Sequence, residues 1–448
     1  MRQAGSCMAL ENWLANRARS CPDRVALVDR ERELTFAELE LEVATAARRL
    51  AGHGVGAGSA VAVELPAGID YAVQLHALMK LGAIACPLNQ GLAAPERDHA
   101  LRELQPGLVI DEDLAAAGDE QRVGLLPAAE LDSIAARILT SGTSGQAHRV
   151  SLTYGNALWS AVGSAFNLGV DPTDRWLCCV PFHHVSGLSI LLRSVIYGTC
   201  AVIHDGYSTD AVAAALESDR ITIVSLVPTQ LERLLRAGAE LSRQRTILVG
   251  GGPVSPEALE EARGRGARIA QTYGLTEAAS QVTTLSPSEA RRRPGSSGRP
   301  LLNTEVRISQ DEILVRGPTI APGCAAEDGW LHTGDRGTID EEGYLYVQGR
   351  LDEMIISGGE NVMPIEVETV LAAHPGVAEV VVFGVASSEW GQAVEALVVP
   401  SVDSRPSESD LREHCALSLA GFKVPKRVRF TDHLPRTANG KIRRRELA

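Results

Sequence analysis

The sequence contains six short segments whose residue types and order could bind a nucleotide. The first, residues 138–145, is an apolar run that ends in small residues with alternating hydroxyls, namely Thr140, Ser141, Gly142, Thr143 and Ser144. In such a segment, backbone N–H groups and hydroxyls can approach a polyphosphate closely. The segment does not have the Walker pattern, because no Gly-Lys-Ser or Gly-Lys-Thr follows it. Taken alone, its composition fits a flexible Ser/Gly linker better than a phosphate site.

Two further segments follow short apolar runs that are typical of strands. Gly250, Gly251 and Gly252 come directly after residues 246–249 and would permit positive φ angles and the close approach of a planar ligand. The same glycines would equally make a tight turn. The next segment brings together an aromatic ring, a hydroxyl and a carboxylate, in the order Gln271, Thr272, Tyr273, Gly274, Leu275, Thr276, Glu277. A divalent cation bound with a nucleotide usually takes only one or two protein carboxylates, although a strand that ends in a polar turn explains this segment as well.

Two more candidate residues lie in polar segments nearer the C-terminus. We expect Asp335 at a loop tip in residues 330–335, where its carboxylate could accept both hydroxyls of a ribose or could cap a turn. Residues 435–442 contain Asn-Gly, a strong turn signal, which would present Lys441 on an exposed loop. Most lysines in such a place are solvated surface charges.

The remaining segment combines a charged pair with glycines. Arg350 and Asp352 are followed by Gly358 and Gly359. Glycines around charged residues at a domain boundary are typical of a hinge, and an ordinary interdomain linker has the same composition.

The elements that must position these segments alternate between strands and helices. We predict strands at residues 60–65, 221–227, 246–249 and 267–270, and helices at residues 36–50 and 71–81, with Thr35 as the N-cap before Glu38. Such alternation favours an α/β fold with a mostly parallel sheet. After Val306 the pattern becomes β-rich, and after Arg350 it becomes α+β. We therefore predict two domains, residues 1–349 and 350–448.

Composition excludes several classes of protein. The 448 residues carry a net charge of −13, whereas a dedicated nucleic-acid binder usually has a basic face. The N-terminal residues have no apolar core long enough for a signal peptide, and polar residues interrupt the stretch 150–170, so we expect a buried amphipathic helix there rather than a membrane span. No Cys-x-x-Cys spacing occurs among the eight cysteines. That scatter favours reduced thiols in a cytoplasmic protein.

In their joint order, the six segments resemble the adenylate-forming superfamily of acyl-CoA synthetases, luciferases and peptide-synthetase adenylation domains. The resemblance covers nearly the whole chain. It implies a large N-terminal domain of αβ-type sheets plus a β-barrel, hinged to a small α+β C-terminal domain. It also implies that a carboxylate attacks the α-phosphate of ATP, that pyrophosphate leaves, and that a thiol then displaces AMP to give a thioester.

The resemblance assigns a role to each candidate residue. Lys441 would bridge the substrate carboxylate and the α-phosphate, Thr276 would hold the α-phosphate, and Glu277 would hold Mg²⁺. Asp352 would be the hinge, and Gly358 and Gly359 would approach the thiol of coenzyme A. The ATP-binding residues would be Thr140, Ser141, Gly142, Thr143, Ser144, Gly251, Gly252, Gln271, Thr272, Tyr273 (which would stack on adenine), Gly274, Asp335 and Arg350.

Within the superfamily, residues 181–195, 248–253 and 271–281 resemble the 2-succinylbenzoate–CoA ligases of menaquinone biosynthesis. Such an aromatic keto-diacid requires an apolar slot and a polar group for its second carboxylate. His184, Ser186 and Ser189 are the expected lining, although a core or capping role explains either neighbouring histidine equally well. Arg193 would suit a carboxylate or would sit on a solvated helix face. We expect ATP, Mg²⁺, coenzyme A and a small carboxylic acid as ligands, no nucleic acid, no integral membrane association, and a homodimer as one candidate assembly.

One position departs from the superfamily pattern. Where a Pro-Lys-Gly run is common, this chain has Ala147, His148 and Arg149. An imidazole is mostly neutral near pH 7 unless its surroundings favour the charged form. The departure affects contacts on the pyrophosphate side, and Arg149 could supply the charge from one position further on, in a different direction.

Three other functions stay open at this point. The chain could be another small acyl- or aryl-CoA ligase, a free-standing adenylation enzyme that loads a carrier protein, or a non-catalytic nucleotide-binding relative. The joint presence of Lys441, Glu277 and Asp335 argues against the non-catalytic relative.

Overall fold

The protein is described here by a computed structural model. The structure describes residues 9–116, 124–126, 128–141, 147–402, 404–436 and 442–447. Four predicted site residues, Gly142, Thr143, Ser144 and Lys441, lie outside these ranges. The chain forms two compact units, Met1–Val306 with Val315–Leu331 and Arg307–Leu314 with His332–Ala448.

The first unit alternates strands and helices. Its strands are β1 (Ala9–Glu11), β2 (Val25–Val28), β3 (Glu33–Thr35), β4 (Ala60–Val63), β5 (Ile84–Pro87), β6 (Leu108–Ile110), β7 (Ala128–Glu130), β8 (Ile134–Ser141), β9 (Ala147–Thr153), β10 (Arg175–Cys178), β11 (Cys200–Ile203), β12 (Ile223–Leu226), β13 (Thr246–Val249), β14 (Ile269–Leu275), β15 (Ser280–Leu285) and β16 (Arg299–Pro300). Its helices are α1 (Trp13–Ser20), α2 (Phe36–Gly52), α3 (Ile69–Leu81), α4 (Ala94–Leu104), α5 (Glu112–Ala116), α6 (Tyr154–Leu168), α7 (Val185–Tyr197), α8 (Thr209–Ser218), α9 (Pro228–Arg236) and α10 (Pro256–Gly264).

Two large sheets organise this unit. The first has nine strands in the order β16-β15-β14-β13-β12-β10-β11-β2-β3, and its central pairs from β14 to β2 are parallel. Strands β11, β12 and β13 are buried at every position, as expected for parallel strands covered on both faces. The second sheet has the order β6-β4-β5-β8-β9, in which β9 runs antiparallel to β8. The predicted α/β class is confirmed.

Local sequence signals explain where two of the helices begin. Helix α2 starts after Thr35, whose hydroxyl accepts the N–H of Glu38 while the Glu38 carboxylate accepts the N–H of Thr35. This reciprocal pair is the predicted capping box. Helix α6 is the predicted buried helix within residues 150–170. Its Asn156 is buried. The amide group of Asn156 donates to the backbone carbonyls of Pro318 and Ile320 at 2.9 and 3.0 Å, and these bonds replace the ones that water would make.

The second unit contains two smaller sheets. The chain enters this unit after Val306, returns to the first unit after Leu314, and enters the second unit again after Leu331. Its strands are β17 (Glu305–Ser309), β18 (Glu312–Arg316), β19 (Leu331–Ile339), β20 (Leu345–Arg350), β21 (Ile355–Ser357), β22 (Glu360–Val362), β23 (Val377–Ser387), β24 (Gly391–Pro400) and β25 (Arg427–Phe430), and its helices are α11 (Pro364–Ala372) and α12 (Glu408–Ala416). Four strands form one sheet in the order β17-β18-β19-β20, with β17 and β20 at its edges. The resemblance implied a β-barrel in this part of the chain.

The C-terminal residues form the predicted α+β structure. The sheet order is β22-β21-β24-β23, with β25 pairing in parallel with β24. Its core includes Val367 and Leu371 of α11, Leu411 of α12, and Val382 and Val394 of the long hairpin. Residues 332–349 lie in this second unit. The domain boundary predicted at residue 350 stays a prediction, and so does the hinge predicted at Asp352. None of the helices in the described ranges has the length and apolar character needed to cross a bilayer.

Candidate active site

Three of the predicted segments leave the same edge of the nine-stranded sheet. Strands β10, β12, β13 and β14 are consecutive parallel neighbours. Residues 181–184 follow β10, the glycines from Gly250 to Gly252 follow β13, and Thr276 and Glu277 follow β14. Because the carboxyl ends of parallel strands share one edge, these segments lie along a single line. Neighbouring strands are about 4.8 Å apart, so the three steps from β10 to β14 span roughly 14 Å.

Residues 271–277 are a strand end and a turn. Gln271 to Leu275 belong to β14, and Thr276–Ala278 form a 3₁₀ turn. A β-bulge falls between Tyr273 and Gly274 in the pairing with β15. A Cβ at Gly274 would lie 1.8 Å from the carbonyl oxygen of Ser280, so the chain requires glycine there. The bulge therefore sets how the residues after it leave the sheet.

Two side chains of this segment have different surroundings. The hydroxyl of Thr272 donates to the carbonyl of Thr283 at 2.8 Å, so this hydroxyl acts within the sheet. Gln271 is 8% exposed, and its amide oxygen has no hydrogen-bond partner among the described residues. A buried acceptor without a protein partner fits a position where a ligand donates.

The glycine turn is packed tightly against its neighbours. A Cβ at Gly250 would lie 2.6 Å from Cγ2 of Thr272, and Gly251 has a φ of +81°. Glycine is thus required both for close approach and for backbone conformation. Val227 and Pro228, at the carboxyl end of β12, lie beside Gly251 and Gly252. The sequence did not mark these two residues as part of the site, although the predicted strand at 221–227 ends at this edge.

His148 links the β8–β9 hairpin to the turn that carries Glu277. Thr140 and His148 are opposite each other in the hairpin. The Nε2 atom of His148 lies 3.1 Å from the Thr140 hydroxyl and 3.1 Å from Oε1 of Glu277. The structure therefore brings these three residues together. Thr140 and Ser141 were expected in a loop, but β8 extends through Ser141, because both residues pair with β9.

Arg149 does not take the place of the missing lysine. Its guanidinium donates to the backbone carbonyl of Glu103 at 3.1 Å. Successive side chains of a strand point to opposite faces, so Arg149 and His148 project in opposite directions. The positive charge of Arg149 is therefore directed at α4 and not to the side of the hairpin that carries His148.

The residues around Glu277 fit a cation that arrives with a nucleotide. The structure shows no group of three or more His, Cys, Asp or Glu among the described residues that could hold a metal by itself. A divalent cation coordinated by phosphates needs only one or two protein carboxylates, and Glu277, 20% exposed, supplies one. Burial, with a smaller contribution from the Glu277 carboxylate, raises the pKa of the nearby Cys324 thiol.

The segment predicted to bind the acid forms the start of α7. Ser186 is exposed in the first turn, whereas Ser189 is buried and its hydroxyl donates to the carbonyl of Val185 at 2.5 Å. The rings of His183 and His184 have centroids 4.6 Å apart. A Cβ at Gly187 would lie 2.4 Å from the carbonyl oxygen of Pro181, so this helix start is closely packed.

Arg193 does not sit on a solvated helix face. Its side chain is only 3% exposed, and Nη2 donates to the hydroxyl of Ser160 at 2.9 Å. The guanidinium also lies over the ring of Trp176, 5.9 Å from the ring centroid. Burial lowers the pKa of Arg193. The solvated alternative is wrong because α7 is buried on nearly every side.

In the second unit, Asp335 lies within a strand and not at a loop tip. It occupies the middle of β19 opposite Arg350 of β20. Nη1 of Arg350 lies 3.0 Å from Oδ1 of Asp335, and Nε lies 3.2 Å from Oδ1 of Asp352. Burial opposes the positive charge, but the two carboxylates outweigh it and raise the pKa of Arg350. Arg350 thus contacts both the predicted ribose acceptor and the predicted hinge residue.

Neighbouring side chains hold the Asp335 strand in place. The hydroxyl of Thr333 donates to the carbonyl of Ile313 at 2.7 Å and accepts the N–H of Asp335 at 3.0 Å. Oε1 of Glu312 accepts the N–H of Gly334 at 2.8 Å. The sequence reasoning did not name Thr333 or Glu312 as positioning residues, and no local pattern marked them.

Gly358 and Gly359 form the turn of a β-hairpin. They connect β21 and β22 with φ angles of +61° and +84°. Two-residue hairpin turns with both φ angles positive favour glycine strongly. The ring of Trp390 packs against Gly358, where a Cβ would lie 3.1 Å from Cε3. These two glycines are neither a hinge nor an open linker.

Two family models together match most of the chain. The AMP-binding enzyme family matches residues 14–324, and the AMP-binding enzyme C-terminal domain matches residues 366–441. A 2-succinylbenzoate–CoA ligase from Listeria monocytogenes is 39% identical over 463 residues, which cover 98% of this chain and 99% of the relative.

Solved structures from Bacillus subtilis are also similar. The o-succinylbenzoate CoA synthetase of that organism, in complex with the acyl-adenylate intermediate OSB-AMP, is 36% identical to this chain and has a TM-score of 0.93. The match covers 98% of each of the two chains. The same enzyme in complex with ATP and a magnesium ion has a TM-score of 0.92 at 36% identity, over 98% of this chain and 100% of the other. The family match covers more than half of the sequence, and the curated relative extends over nearly all of it. The chain therefore belongs to the AMP-binding enzyme family.

Proposed function

We propose that this chain is an acid–CoA ligase that converts 2-succinylbenzoate, ATP and coenzyme A into 2-succinylbenzoyl-CoA, AMP and pyrophosphate, a step of menaquinone biosynthesis. The observation that carries the proposal is the meeting of Thr140, His148 and Glu277 at the sheet edge from which the acid segment also leaves. The relatives that match the chain end to end carry the same activity in their names.

The first half-reaction must overcome repulsion between two anions. The oxygen of the substrate carboxylate forms a bond to the α-phosphorus of ATP, and the bond from that phosphorus to the α,β-bridging oxygen breaks, which releases pyrophosphate. Positioned cations and dipoles lower such a barrier by several kcal/mol. Lys441 is assigned as the cation between the two reactants, and Thr276 as the hydroxyl that holds the α-phosphate. No proton need be removed from the substrate, because the acid is ionised at neutral pH.

The nucleotide is assigned to the residues that the resemblance names. Tyr273 would stack on adenine beside the Gly251–Gly252 turn, and Gln271 would accept from the ligand with its amide oxygen, which has no partner within the described part of the chain. Asp335 and Arg350 would bind the ribose hydroxyls. Glu277 would hold Mg²⁺. When bound, this cation would neutralise part of the negative charge of the phosphates.

The acid is assigned to the start of α7. His184 and Ser186 flank the first turn of this helix, where backbone N–H groups favour an anion. Ser189 supplies packing rather than a hydroxyl donor, because its hydroxyl already donates to Val185. One carboxylate of the diacid would react and the other would require these polar groups.

The second half-reaction joins the thiol to the activated acid. The thiol sulfur forms a bond to the acyl carbon, the bond to AMP breaks, and the thiol proton is lost to solvent. Rotation about Asp352 would withdraw Lys441 and bring the turn at Gly358 and Gly359 toward coenzyme A. We place the reaction in the cytoplasm, and a homodimer stays a prediction that sedimentation analysis would test.

A panel of carboxylic acids tests the proposal. Pyrophosphate release and CoA-thioester formation are measured with 2-succinylbenzoate, benzoate, a long-chain fatty acid and malonate. We expect 2-succinylbenzoate to have the highest kcat/KM and benzoate, which lacks the second carboxylate, to lose at least about tenfold. A higher kcat/KM with another acid would overturn the substrate assignment. Preference for a carrier-protein thiol over coenzyme A would overturn the acceptor assignment.

A further inference from the structure

Arg444 is held between two carboxylates of the second unit. Its Nη2 donates to Oε1 of Glu368 at 2.6 Å, and its Nη1 donates to Oε2 of Glu353. The side chains of Arg444 and Glu368 are only 18% and 12% exposed. A planar guanidinium with charge-assisted bonds to two separate acids fixes the relative positions of all three residues.

The two acids belong to different parts of the unit. Glu353 ends the 3₁₀ turn Leu351–Glu353, directly after the proposed hinge residue Asp352. Glu368 lies in α11 and also accepts the backbone N–H of Val382 in β23 at 2.7 Å. Arg444 therefore connects the hinge backbone to the packed core of the C-terminal residues.

The same arginine lies close in sequence to the proposed catalytic lysine. Arg436 and Ile442 form an antiparallel bridge, and the N–H of Arg443 donates to the carbonyl of Pro435 at 2.9 Å. The segment that contains Lys441 thus begins and ends at paired backbone. Lys441 directly precedes Ile442 and lies three positions before Arg444 in the sequence.

We propose that Arg444 is a positioning residue for the adenylation half-reaction. Clamped by Glu353 and Glu368, it ties the chain three positions after Lys441 to the residue that follows the proposed hinge at Asp352. The inference rests on the proposed role of Lys441. Misplacing a catalytic group by about 1 Å can cost a hundredfold in rate, which is the reason such a clamp would matter.

The electrostatics of Glu368 support the clamp. Burial raises the pKa of Glu368, and this effect outweighs the charge of Arg444 and the N–H of Val382, both of which lower that pKa. An ion pair in such a place contributes little net stability, since desolvation offsets the attraction. The pair is therefore explained better by the position that it fixes than by the stability that it adds.

The first test separates positioning from folding. Arg444→Lys keeps the charge but cannot span both acids, and Arg412→Lys, on the exposed face of α12, is its control. We expect Arg444→Lys to lower the kcat of adenylation about tenfold or more, with the KM for ATP within threefold. Thioester formation from supplied acyl-adenylate is expected to change less than threefold. Equal loss in both half-reactions, or no loss in either, would overturn the proposal.

A second variant leaves the buried pair intact. Glu353→Gln removes only the hinge-side acid, and Glu366→Gln, which breaks the surface pair with Lys423 at 2.7 Å, is the matched control. We expect Glu353→Gln to impair adenylation selectively while its melting temperature matches that of the control. A melting temperature that falls together with both half-reactions would show a purely structural role.

A third measurement does not depend on the identity of the acid. Acylation of Lys441 by a soluble amine-reactive ester is followed by mass spectrometry with and without ATP. ATP should protect Lys441 in the unmodified enzyme and in Arg412→Lys, and protection should fall at least threefold in Arg444→Lys. Undiminished protection in Arg444→Lys would overturn the inference while leaving the proposed function in place. If 2-succinylbenzoate is not activated but protection is still lost in Arg444→Lys, the substrate assignment fails and the positioning role stands.

Discussion

The Nε2 atom of His148 lies 3.1 Å from Oε1 of Glu277, across 129 positions of sequence. The same nitrogen lies 3.1 Å from the hydroxyl of Thr140. The Nδ1 atom also lies 3.2 Å from the Thr140 hydroxyl, so one ring nitrogen can pair with Glu277 while the other pairs with Thr140. His148 thus occupies the place where the superfamily commonly has a lysine, beside the carboxylate assigned to Mg²⁺.

His148→Lys is expected to improve the use of ATP. A lysine carries its charge throughout the physiological pH range, whereas an imidazole does not, so the variant adds a steady cation on the pyrophosphate side. We expect the KM for ATP to fall about threefold or more, measured from initial rates of pyrophosphate release. Arg149→Gln is the control and should leave this KM unchanged, because Arg149 contacts the carbonyl of Glu103. An unchanged KM in His148→Lys would mean that another group already supplies the charge.

Asp335→Asn tests the assignment of the ribose site. The amide replaces one acceptor oxygen with a donor, so we expect the KM for ATP to rise about tenfold. The same comparison with 2′,3′-dideoxy-ATP should show little difference between the two enzymes, since that nucleotide lacks both hydroxyls. An equal loss with both nucleotides would show that Asp335 acts through Arg350, 3.0 Å away, and not through the ribose.

Gly274→Ala tests the geometry of the turn that carries Glu277. The added methyl would lie 1.8 Å from the carbonyl oxygen of Ser280, and this backbone contact cannot be relieved by a side-chain rotation. We expect the free energy of unfolding in urea to fall by about 2 kcal/mol or more. Gly264→Ala in α10, where nothing lies within 4 Å, should change it by less than about 1 kcal/mol. Similar values for the two variants would contradict the packing described for β14 and β15.

Local patterns in the sequence were sufficient for much of the fold. The capping box at Thr35 and Glu38 and the strand Thr246–Val249 depend on residues adjacent in sequence, and both are found where they were predicted. The same holds for the buried helix α6, whose polar residues have partners elsewhere in the first unit.

The sequence was less informative where distant segments decide the structure. Gly334 and Asp335 are typical turn residues, yet both lie within β19, where Asp335 pairs with β20 and forms an ion pair with Arg350. Strand preference depends on such neighbours more than on residue type. The contact between His148 and Glu277 joins two segments that no local pattern connects. For the same reason, the burial of Arg193 could not be separated in advance from a solvated position.

Acid should destabilise the protein through His76. This side chain of α3 is 4% exposed, and burial, aided by the charge of Lys80, lowers its pKa from 6.5 to about 4. The unfolded chain therefore takes up this proton first, and the stability present above pH 6.5 is lost as the pH falls toward 4. His76→Gln should reduce the difference in unfolding free energy between pH 7 and pH 4.5 by roughly 2–3 kcal/mol.

The control for this prediction is His53→Gln, at the exposed end of α2. It should leave the pH dependence of stability unchanged. Only the difference between the two pH values is compared, because a buried glutamine also changes stability by an amount independent of pH. An unaltered pH dependence in His76→Gln would show that other groups account for the loss in acid.

The central claim is that the positive charge of Lys441 neutralises the repulsion between the substrate carboxylate and the α-phosphate. Single-turnover rates of the two half-reactions in Lys441→Ala test it most directly, with Lys423→Ala as the control for loss of a surface lysine. We predict that adenylation falls by at least about a hundredfold, while thioester formation from supplied acyl-adenylate stays within threefold of the unmodified enzyme. Equal loss in both half-reactions, or adenylation at the normal rate, would contradict the account.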